Sequence, residues 1–145
     1  MFLPGQILYF DSFQFKNGNQ PKSKYFLILA NIENQLIIAS LPTRTNTVPS
    51  FVTINHGCIN IDDRCYNSYL FEKGRVIGQN GFSYDMTTFI YGDQVEDYKL
   101  ETFDANYIEG VDYMALDILV KNEFDAIIHC FKTSNSVKNK IKKML

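Results

Sequence analysis

The chain has 145 residues, 46% of them hydrophobic and 21% charged, a balance that excludes a disordered chain and suffices for one sizeable core. The net charge of −2 conceals three blocks: residues 1–84 carry seven Lys or Arg against five acids (+2), residues 85–125 two lysines against eleven acids (−9), and residues 126–145 five lysines and no acid (+5). No run reaches the roughly 20 apolar residues of a membrane span, and residues 1–10 lack the positive lead and unbroken apolar stretch of a signal peptide; the expectation is a cytoplasmic protein with no membrane partner.

Twelve Phe and nine Tyr, with no Trp, suit pleated and half-buried surfaces. Residues 6–10 read as a first strand, led in by Pro4-Gly5, and 16–22 as a polar turn punctuated by Asn17-Gly18. The apolar run 25–30 is a second strand, 31–34 a tight turn, and 35–41 its hairpin partner, closed by Pro42. Residues 51–54 resume a short strand, 55–67 read as a structured loop, and 69–71, 75–77 and 87–91 as further short strands. Residues 104–121 are ambiguous, and 113–117 fit either a last strand or a helix.

At Asn122 the period changes. Phe124, Ile127, Ile128 and Phe131 lie on one helical face, with Asn122 as candidate N-cap and Glu123 in the first turn. A second, lysine-rich amphipathic helix is expected over 136–145. The whole is expected as one domain, 1–145, mainly β with C-terminal helices: a small curled antiparallel barrel over about 4–100, then two short helices from about 122 to 145.

Nucleotide-binding and hydrolase signatures are missing. His56, Cys58, Asp62, Asp63 and Cys65 bring zinc-competent side chains together, but two cysteines with six residues between them lack the usual ligand spacing. The expectation is no metal, no cofactor and three reduced thiols. His129 is expected at the solvent boundary of the first helix. The acidic block is either a solvated surface or a patch that meets a basic partner.

Lys22 and Lys24 precede the second strand, and Thr43 and Arg44 follow the third. In an antiparallel hairpin both groups fall at one end. There they could cradle a phosphate, with Lys24, Thr43 and Arg44 stabilising charge as an internal hydroxyl attacks it. Tyr25, Phe51 and Tyr69 could offer stacking faces to unpaired bases, with Lys22 on the backbone. Loop ends also carry such residues with no functional reason.

The order of features resembles the PemK/MazF family of toxins from bacterial toxin–antitoxin pairs. Pro4-Gly5-Gln6-Ile7-Leu8-Tyr9-Phe10-Asp11 is similar to that family's opening strand, Lys22-Ser23-Lys24 followed by residues 25–30 to its basic lead into an aliphatic strand, and residues 37–41 with Pro42-Thr43 to its third strand. Leu119 and Glu123-Phe124 before an amphipathic helix resemble its end. The likeness covers roughly residues 4–50, with a looser echo at 113–132.

It implies an SH3-like barrel, a homodimer, an antitoxin partner and metal-independent cleavage of single-stranded RNA. Thr43 stands at the family's threonine position, while lysines occupy its arginine position, with Arg44 as a substitute from across the hairpin end. A non-catalytic barrel that binds a protein or nucleic acid through the same face is the alternative.

Overall fold

The computed structural model describes residues 2–14, 18, 20, 22–41 and 55–145. Among these residues eight strands and three α-helices follow one another: β1 (Gln6–Phe13), β2 (Lys22–Ile32), β3 (Gln35–Ser40), β4 (Gly57–Ile61), β5 (Tyr66–Phe71), β6 (Thr88–Tyr91), β7 (Glu96–Lys99), α1 (Leu100–Asn106), β8 (Tyr113–Ile118), α2 (Lys121–Lys132) and α3 (Asn139–Lys142). They build a five-stranded antiparallel sheet in the order β7-β3-β2-β1-β8 and a three-stranded one in the order β4-β5-β6. Among the described residues there is no closed barrel; the chain is mainly antiparallel β with C-terminal helices.

The larger sheet is buried on both faces because its central strands are apolar on both. On one face Leu8, Phe10, Phe26, Ile28, Leu36 and Ile38 pack under α1 with Phe2, Phe13, Phe103 and Tyr113. On the other, Ile7, Leu27, Leu29, Ile37 and Ala39 meet β5 and the two last helices through Tyr69, Phe71, Ile127, Phe131 and Ile141. A bulge between Ile28 and Ala30 breaks the strict alternation, so the consecutive Leu29 and Ala30 both join this second core.

The β2–β3 hairpin turns on Glu33 and Asn34 at φ of 50° and 63°, the left-handed pair that a two-residue turn needs to match strand twist. The same turn caps α1. The Asn34 carbonyl accepts the Leu100 N–H at 2.9 Å, and its side-chain oxygen accepts the Glu101 N–H at 3.2 Å.

Several expectations are corrected. Residues 55–67 are not a loop: they form β4, a 3-10 turn over Asp62–Arg64 and the start of β5. Residues 75–77 form no strand, and neither β7 nor α1 was expected. The N-cap of α2 is Val120, two residues before Asn122, and no side-chain cap bond is made there. The last helix shrinks to the single turn Asn139–Lys142. Residues 113–117 resolve as a strand, β8. The expected strand 51–54 lies outside the described residues.

The thiols are corrected too. Cys58 on β4 is disulfide-bonded to Cys130 on α2, with Cα atoms 5.6 Å apart across 72 residues of sequence, and Cys65 alone is free and exposed. Sequence spacing cannot show such a bond, because the pairing is made by packing α2 across β4.

Candidate functional site

Strand alternation places Tyr9 and Tyr25 as directly paired neighbours on β1 and β2, on the face that also carries Ile7 and Leu27. Further along the strands that face is covered by β5 and α2; at this end it opens. The two rings lie 5.0 Å apart, and Tyr25 meets Tyr84 edge-on at 5.8 Å. Together with Lys24, Leu41, Asp85 and Met86 these tyrosines line a cleft of about 430 Å³.

Lys24 donates from Nζ to the Leu41 carbonyl at 2.7 Å, while the Leu41 N–H donates to the Tyr25 carbonyl at 3.1 Å. The basic end of β2 is thereby fastened to the chain immediately after β3. Of the expected site residues, Lys24 and Tyr25 thus lie together on the cleft. Thr43, Arg44 and Phe51 lie outside the described residues, as does the side chain of Lys22, whose backbone begins β2.

Tyr69 is corrected. It is 2% exposed, so it offers no face to a base, and its hydroxyl donates to the Glu123 carboxylate instead. Burial, then Glu123, push that hydroxyl well above the ordinary tyrosine range, so it remains a donor. His56 completes the network: Nε2 faces both Glu123 oxygens at 2.9 Å, and Nδ1 accepts the Glu72 N–H at 3.1 Å. An acceptor at Nδ1 leaves the proton on Nε2, aimed at the carboxylate. His56 and Glu123 side chains are 7% and 10% exposed, so the trio is closed to a substrate. It binds the first turn of α2 to β5.

The polar trio and the cleft are joined by rings. Phe71 lies 5.3 Å from Tyr69 and 5.4 Å from Tyr84. Burial, and then Tyr25, push the Tyr84 hydroxyl upward, so it too stays protonated. The cleft therefore presents stacking surface, a neutral phenol, an ammonium and the Asp85 carboxylate. That set suits a flat ring with polar edges better than a simple anion.

The residues His56 to Cys65 do not converge on a metal. His56 is committed to Glu123, Cys58 to its disulfide, and Cys65 stands at the far turn of the β4–β5 hairpin. Among the described residues no cluster of three or more His, Cys, Asp or Glu could hold an ion. His129 is exposed on α2.

Sequence reasoning missed Tyr9, Tyr84 and Asp85. Tyr9 was within reach, since it occupies the same alternation class as Ile7 on a strand paired with Tyr25. Tyr84 and Asp85 belong to an irregular stretch with no period to read. Among the described residues no helix is long and apolar enough to cross a membrane. No known family model matches the chain, and no curated protein matches it.

Proposed function

We propose that this protein handles single-stranded RNA at the Tyr9–Lys24–Tyr25–Tyr84 cleft and cleaves it without metal, as a PemK/MazF-like endoribonuclease toxin. One observation carries the reading: Lys24 on the cleft is fastened to Leu41, two residues before Thr43 in the chain, beside three tyrosines. Rings of this kind stack unpaired bases without regard to sequence. Lys24, together with Thr43 and Arg44, which follow Leu41 by two and three residues in the chain, supplies the residue types that in-line attack needs. The RNA 2′-oxygen bonds to phosphorus as the bond to the 5′-oxygen breaks. The 2′-hydroxyl loses its proton, the leaving oxygen gains one, and a 2′,3′-cyclic phosphate results.

In this reading the five-stranded sheet stands for the family's SH3-like barrel, two copies form a homodimer, and an antitoxin covers the cleft. The work is cytoplasmic, where the Cys58–Cys130 bond meets reducing thiols. A second reading, a non-catalytic module that holds RNA or a protein, needs only the ring faces of Tyr9, Tyr25 and Tyr84 on the cleft.

The test expresses wild type, Arg44→Ala and Thr43→Ala in a bacterium and follows growth and transcript length, with purified protein assayed in chelator. Toxin-like cleavage predicts growth arrest, metal-independent cutting, and a loss on the order of 10²–10³ in rate for a removed charge stabiliser. Intact transcripts and normal growth with wild type would leave the binding module in its place.

A further inference from the structure

The acidic block of residues 85–125 gives Asp85 and Met86 to the cleft described above, and its stretch 98–107 borders a second cavity on the other side of the sheet. This one, of about 160 Å³, opens between the end of β1, β7 and α1, and Phe13, Tyr98, Phe103 and Tyr107 line it with Lys99. The rings form one array: Phe13 and Tyr107 lie nearly parallel at 5.2 Å, Phe103 is 5.0 Å from Tyr107, and Tyr98 is 5.6 Å from Phe103. The Tyr107 hydroxyl accepts the Gln14 N–H at 3.3 Å, which ties that ring to the end of β1.

The electrostatic surroundings are negative. Asp85, Asp117, Glu123 and Asp125 of the acidic block are engaged elsewhere, so the local charge is that of Glu96 and Asp97 on β7 and of the acids on α1. Glu101 and Asp104 lie exposed on α1 itself. Burial, then Glu96, Tyr107 and Asp97, push the Tyr98 hydroxyl upward, which places carboxylates beside this wall. Among the described side chains Lys140, paired with Asp97 at 3.3 Å, and the exposed Lys99 stand against them, and the Lys22 backbone pairs with Phe13.

We propose that this cavity takes the guanidinium of an arginine carried by a basic protein partner. Ring faces attract cations through their quadrupole, and a guanidinium, being flat and weakly hydrated, is the cation that stacks best on them. The acidic block supplies the longer-range attraction that brings a basic partner to this face and repels a polyanion. The volume suits the end of one side chain and is small for a nucleotide. The proposal is independent of the RNA reading, which concerns another face and other tyrosines.

The test titrates the full chain with Nα-acetyl-arginine amide and with Nα-acetyl-citrulline amide, equal in shape but uncharged, and follows tyrosine ring signals by NMR. The expected result is saturable shifts at Tyr98 and Tyr107, binding of citrulline weaker by roughly tenfold, and loss of affinity with added salt. Tyr107→Leu should abolish the shifts. Lys99→Ala, an exposed change that leaves the core intact, should tighten binding several-fold. Equal binding of citrulline, shifts confined to Tyr9, Tyr25 and Tyr84, no saturable shift with either probe, or saturation of this cavity by an oligouridine instead would each overturn the proposal.

Discussion

In the central strands β1, β2 and β3 of the five-stranded sheet nearly every side chain withdrawn from water is hydrocarbon: Leu8, Phe10, Phe26 and Ile28 on one face, Ile7, Leu27 and Ile37 on the other. Around the three-stranded sheet the withdrawn groups include Asn67, Ser68 and Glu123, and a covalent bond joins β4 to α2. The first region is held by non-directional burial, which tolerates any arrangement of similar volume and needs no particular partner. The second gives Tyr69, Phe71 and Ile90 to the large core on its inner face, has a small outer cluster, Ile59, Leu70 and Phe89, and adds directed contacts that work in one geometry alone. A layer with a thin outer face and a candidate site at its border is held by polar and covalent ties besides its share of the core.

The largest expected effect breaks the apolar side of that comparison. Phe10 is fully buried and touches five other rings, so Phe10→Ala should cost about 3–5 kcal/mol in urea-induced unfolding. A loss below about 1 kcal/mol would mean this face is not a packed core. Removing the disulfide acts on the other side. Reduction, or Cys130→Ser, should cost about 2–4 kcal/mol because the bond closes a long loop in the unfolded chain. Hydrogen exchange should quicken in α2 and β4 before it does in β1 and β2. Thiol titration of the unfolded chain should count one thiol, Cys65, without reductant and three with it; three in both conditions would dismiss the bond.

Tyr69→Phe sharpens the polar side. It removes one donor from the Glu123 carboxylate and should cost about 1.5–3 kcal/mol, the range for hydrogen bonds to charged groups. A change within about 0.5 kcal/mol, as at an ordinary surface position, would show the trio to be incidental.

The smallest effect is a pH dependence. Burial raises the Asp117 carboxyl, but the N–H groups of Ile118, Phe82 and Asn80, with the Asn80 amide, outweigh it and hold it below the ordinary 3.8. A carboxyl depressed in the folded state adds stability that is complete above its unfolded value and is lost as pH falls through the folded one. Stability should therefore drop below about pH 4, and Asp117→Asn should remove that component of the slope while leaving the neutral-pH dependence alone. A slope unchanged in the variant would assign acid sensitivity elsewhere.

The same contrast explains what could be read in advance. Strands β1, β2 and β3 were legible because long apolar runs, Asn-rich turns and Pro42 are local signals, and the i, i+3, i+4, i+7 face of α2 was legible for the same reason. Helix α1 was not, since its first N–H groups are capped by Asn34, 67 residues away from Glu101. The β4–β5 hairpin was not, since its polar residues look like loop until Asn67 meets the Cys130 carbonyl at 3.3 Å. At the candidate site, the partnership of Lys24 with the end of β3 followed from antiparallel pairing alone. The tyrosines beside it, Tyr9 and Tyr84, required the fold.

By itself the sequence determined an antiparallel β protein with a helical end, the β2–β3 hairpin, and the place of Lys24 at the end of it where β3 finishes. Those follow from period, turn chemistry and strand pairing, all of which act within a few residues or between adjacent strands. Only the tertiary structure decided that the strands divide into two sheets, that Cys58 finds Cys130, that Tyr69 turns inward to Glu123 and His56, and that two aromatic cavities open on different faces. Each of these depends on which elements pack together, and directed contacts between distant residues leave no periodic mark on the chain.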